Sequence, residues 1–153
     1  MNTKIAILLG SESDRKTMES GNKYYEYFGL DYEIMIMSAH RNPQEVHSFA
    51  SSARDNGYAV LIGAAGMAAH LAGALKSVST LPVIGVPLKG GVSDGMDSLL
   101  ATVQMPKGVP VATMTIGSHG AINAAILCAE ILSLSDEDIK KKLNEFKLNG
   151  AKL

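Results

Sequence analysis

Lys4-Ile5-Ala6-Ile7-Leu8-Leu9 running directly into Gly10-Ser11-Glu12-Ser13-Asp14 is the stretch on which the fold turns. A short aliphatic run with no in/out alternation reads as a strand covered on both faces, as in a parallel sheet. A glycine followed by serine and aspartate reads as the start of a helix. Strand, tight loop and helix in that order open a βα unit. The same succession recurs outward along the chain, with apolar runs at Tyr32–Met37, Ala59–Ile62, Val83–Val86 and Pro110–Ile116. Between them lie helical spacings such as Met18, Gly21, Tyr25, Phe28 and Val46, Phe49, Ala50, Ala53. Asn42 before Pro43, with Glu45 reaching back, marks one helix start, and Asn56-Gly57 its end.

Five such units with right-handed crossovers predict a three-layer α/β/α fold, a flavodoxin-like doubly wound five-stranded parallel sheet in the order 2-1-3-4-5. Residues 1–153 then form a single domain, with an α/β core over 1–134 and an added amphipathic helix over 135–153. Ser135 with Asp138 opens that helix, Ile139, Leu143 and Phe146 form its apolar stripe, and Asp136/Lys140, Glu137/Lys141 and Asp138/Lys142 pair at i,i+4. The stripe is expected to bury against either its own domain or a neighbouring subunit, and because the sheet is already covered on both faces the neighbour is favoured.

Composition narrows the functional classes. Lys plus Arg number 14 against 15 Asp plus Glu, a net charge of -1, so nothing draws in a nucleic-acid backbone or an anionic membrane surface. The one cysteine, Cys128, has no partner for an internal disulfide and no metal-ligand spacing around it. Met1-Asn2-Thr3-Lys4-Ile5 enters the first strand without the pattern of a signal peptide, which predicts a cytoplasmic location. Tyr58 to Leu75 lacks formal charge, yet its glycines and His70 make it strand, loop and helix rather than a membrane span.

A 2-1-3 strand order makes the loops after strands 1, 2 and 3 neighbours at the carboxyl edge, where doubly wound sheets bind ligands. Those loops carry Gly10-Ser11-Glu12-Ser13-Asp14, Ser38-Ala39-His40-Arg41 and Gly63-Ala64-Ala65-Gly66-Met67-Ala68-Ala69-His70. Ser11, Ser13 and Asp14 suit either helix capping or a phosphate beside ribose hydroxyls, the serines facing the anion and Asp14 the hydroxyls. Arg41 offers a guanidinium fork for phosphate, and beside it His40 carries an imidazole, a group that can both give and take a proton. His70 fits a buried structural histidine as well as a site residue. Ala64, Ala65, Ala68 and Leu71 are expected to form a small-residue wall that keeps water from a reactive intermediate. Together these features point to a small nucleotide substrate worked on by proton transfer.

Other motifs are weaker. Gly91-Val92-Ser93-Asp94-Gly95 has the G-x-S-x-G pattern, with Asp97 and His119 in triad order, but Pro87, Lys89 and Gly90 separate Ser93 from its strand. The segment reads better as a flexible lid, and Ser118 and His119 as helix caps. No Walker A sequence, dinucleotide G-x-G-x-x-G or metal-ligand cluster occurs, so neither a cofactor nor a metal is expected.

With Asp97-Ser98-Leu99-Leu100 and Val103-Gln104-Met105-Pro106 added to the three loops, nearly the whole chain resembles the PurE family of purine biosynthesis. That resemblance implies conversion of N5-carboxyaminoimidazole ribonucleotide to 4-carboxy-5-aminoimidazole ribonucleotide in a homo-octamer. It assigns Ser11, Ser13, Asp14, Ser38 and Arg41 to phosphate and ribose, within a substrate site that includes Ala39. It gives the ring to the backbone at Ala65 and Gly66, the pocket lining to His70 and Leu71, and proton movement to His40. Of the family's two branches, Arg41 and His70 resemble the mutases rather than the carboxylases that take free carbon dioxide. Met67 stands where mutases commonly have glycine and Ala72 where they commonly have proline, and Leu88 to Asp94 is unlike their loop. The alternatives are a carboxylase of aminoimidazole ribonucleotide and a non-catalytic nucleotide-binding module.

Overall fold

Residues 3–153 are described by the computed structural model, so Met1 and Asn2, part of the expected entry to the first strand, lie outside the described residues. Five parallel strands, β1 Lys4–Leu9, β2 Tyr32–Ile36, β3 Tyr58–Ala65, β4 Val83–Pro87 and β5 Ala112–Thr113, pair in the order β2-β1-β3-β4-β5. Among the described residues seven α-helices accompany them: α1 Arg15–Met18, α2 Asn22–Phe28, α3 Pro43–Ser52, α4 Leu71–Val78, α5 Met96–Val103, α6 Ser118–Leu132 and α7 Glu137–Leu148. Ile7 at the centre of β1 stands opposite Ile34 of β2 and Ile62 of β3.

Strand side chains alternate between faces, and a sheet covered on both sides makes both sets apolar. Ile5, Ile7 and Leu9 join Val60 and Ile62 against α2, α6 and α7. Ala6, Leu8 and Leu61 join Val46, Ala50, Leu71 and Leu75 on the α3 and α4 side. Gly63 shows how close that second layer lies, because a Cβ there would come within 2.8 Å of the Ala72 backbone. At the opposite end of the sheet from the loops described below, Lys4 Nζ is 2.8 Å from Glu33, which also accepts from the Tyr58 hydroxyl. This ties β1, β2 and β3 together.

Several expectations about element bounds are corrected. β3 runs on through Gly63-Ala64-Ala65, so the third polar string begins within the strand. β5 has two residues rather than seven, because its ladder to β4 ends after Ala112 and Thr113. The first helix is broken into a 3-10 turn at Glu12–Asp14 that leads into α1 and a second at Glu19–Gly21 that links α1 to α2. Asn42 precedes Pro43 without a capping hydrogen bond from its side chain. Ser118 and His119 lie inside α6, whose N-cap is Gly117.

The last helix is corrected in three respects. Its cap is Asp136, which accepts from the Asp138 and Ile139 amides, rather than Ser135. Its ion pairs are i,i+3, Glu137–Lys140 and Asp138–Lys141. Its stripe of Ile139, Leu143 and Phe146 is buried in its own chain, not left for a neighbour. The reason is geometric: α2 and α6 leave an apolar groove between them, and Phe146 enters it edge-on to Tyr24 and Phe28.

Candidate active site

The loops following β1, β2, β3 and β4 surround a cavity of about 360 Å³ at the carboxyl edge of the sheet, large enough for a small ligand. Ser11, Ser13 and Asp14 reach it from β1, and Ser38, Ala39, His40 and Arg41 from β2. Ala65, Gly66, His70 and Leu71 reach it from β3 and the start of α4. All the residues expected at the site therefore face one space. Ala68 lines it too, whereas Ala64 is buried in the core beneath and takes no part in the expected wall.

At the β1 loop the capping and ligand readings turn out to be compatible. Ser11 is extended and its Oγ accepts from the Ser13 amide at 3.4 Å, so it caps the first 3-10 turn. The two serine hydroxyls, 3.0 Å apart, still line the cavity. Glu12 is drawn away by Arg15, whose Nη2 donates to its carboxylate at 3.2 Å. The remaining carboxyl, Asp14, is half-buried, and burial raises it from its ordinary value while a hydrogen bond with the Ser11 backbone works in the opposite direction.

The β2 loop is a tight turn, closed by the Asn42 amide donating to the Ser38 carbonyl at 2.8 Å. Ser38 Oγ accepts from the Arg41 amide at 3.1 Å, and this local bond places His40 and Arg41 at the cavity. His40 Nε2 then lies 2.7 Å from His70 Nδ1, with the rings nearly perpendicular at 74°. A contact of that length needs a proton on one nitrogen and a lone pair on the other. His70 is the residue immediately before α4, and it is exposed at the cavity rather than buried among core side chains.

Lys89, Gly90 and Gly91 after β4 complete the lining, a contribution for which Lys89 and Gly90 carry no signal in the sequence. The segment is a tight turn with positive φ at Gly90, Gly91, Ser93, Asp94 and Gly95. Asp97 secures it by accepting from the Val92 amide at 3.0 Å and the Ser98 amide at 2.9 Å. Ser93 and His119 are not among the residues lining the cavity, so the serine-elbow pattern is not part of this site. Among the described residues, no group of three or more His, Cys, Asp or Glu side chains is arranged to hold a metal ion.

A 2-1-3-4-5 parallel sheet with a ligand-sized crevice across its strand ends and two imidazoles in contact inside it defines a doubly wound α/β protein built around a small-molecule site. The AIR carboxylase family model matches residues 4–152. N5-carboxyaminoimidazole ribonucleotide mutase of Pyrococcus abyssi is 47% identical over 144 residues, 94% of this chain and 82% of that one. The protein of the same name from Bacillus subtilis is 47% identical over 149 residues, covering 97% and 92%. Among solved structures, Treponema denticola PurE superposes with a TM-score of 0.86 at 28% identity, over 97% of this chain and 91% of that one. The chain belongs to the AIR carboxylase family, to which PurE belongs.

Proposed function

We propose that this protein is an N5-carboxyaminoimidazole ribonucleotide mutase of purine biosynthesis, moving the carboxyl group from the exocyclic nitrogen to the ring carbon to give 4-carboxy-5-aminoimidazole ribonucleotide. The observation that carries the reading is the His40–His70 contact inside a cavity that also holds Arg41, the paired serines and Asp14. Arg41 and the serine hydroxyls suit the phosphate, and Asp14 suits ribose hydroxyls. Ala65 and Gly66 let the backbone approach a planar ring, and Ser38, Ala39 and Leu71 line the same cavity.

His40 is assigned the proton transfers. Protonating the exocyclic nitrogen returns the N–C bond electrons to nitrogen and frees carbon dioxide. The electron-rich ring carbon attacks the trapped molecule, and loss of the ring proton restores aromaticity. One proton is given and one recovered, so a single acid/base group ends the cycle as it began. Exclusion of bulk water from the cavity by the bound nucleotide protects the intermediate.

Met96, Leu100 and Val103 are 47%, 48% and 47% exposed at i, i+4 and i+7 along α5, an apolar stripe suited to a second copy of the chain. Self-association, as the homo-octamer the resemblance implies, fits that face. No helix among the described residues is long and apolar enough to cross a membrane, and a cytoplasmic location suits the reaction.

The experiment is incubation with freshly made carbamate substrate, without ATP and with labelled bicarbonate. A mutase forms product at a rate independent of bicarbonate and with little label from solution. Rapid carboxylation of aminoimidazole ribonucleotide at modest bicarbonate, with full label uptake, would assign the carboxylase reaction instead.

A further inference from the structure

The charges around the cavity leave one unassigned. Its formally charged side chains are Asp14, Arg41 and Lys89, and His40 and His70 line it as well. A carboxylated nucleotide brings a phosphate of about -1.5 to -2 and a separate carboxylate. Arg41 answers the phosphate and Asp14 the ribose. The carboxylate then needs a cation of its own.

Strand order separates the two cations. Arg41 follows β2 and Lys89 follows β4, three places apart in the sheet, so at about 4.8 Å per strand their loops begin about 14 Å apart. That is roughly the reach of a nucleotide from its phosphate to the far edge of its base. Lys89 is also on the ring side of the cavity, because its carbonyl oxygen lies 3.6 Å from where a Cβ of Gly66 would stand. Its aliphatic stem lies beside Gly117, where an added Cβ would meet the Lys89 Cγ and Cε at 3.5 Å.

Its present partner is weak. Lys89 Nζ is 3.8 Å from Asp94 Oδ2, at the limit of an ion pair, and the side chains are 67% and 69% exposed. Such pairs contribute little and exchange readily for a better-placed anion. We infer that Lys89 is a specificity residue that leaves Asp94 to bind the carboxylate of the ligand, so that the site distinguishes carboxylated from decarboxylated nucleotide. The inference rests on the proposed reaction. It extends it by naming the side chain that reads the group being moved.

The test compares binding of 4-carboxy-5-aminoimidazole ribonucleotide and aminoimidazole ribonucleotide, which share phosphate and ribose. Lys89→Gln is expected to weaken the carboxylated nucleotide about tenfold, as for loss of a charge-assisted bond, and to leave the decarboxylated one within twofold. Lys89→Arg is expected to restore most of the preference. Unaltered decarboxylated binding also shows that the variant is folded. Equal affinities of wild type and Lys89→Gln for the carboxylated ligand, or equal losses for both ligands, would overturn the assignment while leaving the proposed reaction standing. Failure of the wild type to bind either nucleotide would overturn both.

Discussion

His40 Nε2 and His70 Nδ1, from the loops after β2 and β3, meet at 2.7 Å. With two N–H groups facing each other the contact is lost, so in this geometry the two rings together carry at most one extra proton. The pair is a single proton-holding unit shared between two loops.

Replacing His40 with asparagine is therefore expected to reduce turnover by about 100- to 10,000-fold with nucleotide affinity within a few fold. His70→Asn should cost less, about tenfold, by releasing the His40 ring. Groups that work as a unit are not additive, so the double variant should be no slower than His40→Asn alone. Single-turnover rates that multiply across the two substitutions would argue against a shared role.

Arg41→Lys turns a planar fork into a point charge and should weaken nucleotide binding about tenfold with turnover at saturation nearly retained. The matched nucleoside, lacking phosphate, is the control. An equal loss for nucleoside would mean that Arg41 is not reading phosphate.

Asp14 links the site to pH, with opposite signs for folding and binding. Burial raises its carboxyl, so folding favours the protonated form. Its contribution to stability is present below the ordinary carboxylate value and is lost as pH rises through the raised one. Ribose hydroxyls donate to the ionised carboxylate, so nucleoside affinity should rise with pH across that window. Asp14→Asn should melt above wild type at neutral pH, with the difference closing in acid, and should lose that acid limb of the affinity profile. Melting curves and calorimetric titrations from pH 3 to 7, to within roughly half a unit, test both signs.

Phe146→Ala is expected to cost about 3–5 kcal/mol of stability, as for other buried phenylalanines, because its ring fills the groove between α2 and α6. Deleting 136–153 should lower the stability of the subunit itself, rather than only its assembly state. A truncated chain that melts with the wild type but sediments as a smaller species would restore the intersubunit role.

The sheet was legible because its order follows from apolar runs, loop chemistry and crossover handedness, all local to the chain. Convergence of the Ser11, His40 and His70 loops followed from that order. What stayed hidden depended on relations between distant segments. The groove that takes Phe146 exists only once α2 and α6 are placed, so the amphipathic stripe of α7 carried no sign of which surface it would meet. The contact between His40 and His70 needs the conformations of two loops at once. Lys89 lacked a local signal because a lysine after a strand is usually a solvated side chain, and only the cavity shows what it borders.

Cys128, the only cysteine, sits within α6, fully buried and with its thiol pushed up by that burial. Thiol reagents act on exposed thiolates, so the native protein presents them with no good target. A cysteine introduced at Val92, which is exposed on the β4 loop, becomes the one reactive handle in the molecule. A maleimide dye there attaches at a single address without stripping the natural sulfur, and its emission can follow the loop beside the cavity as each nucleotide arrives.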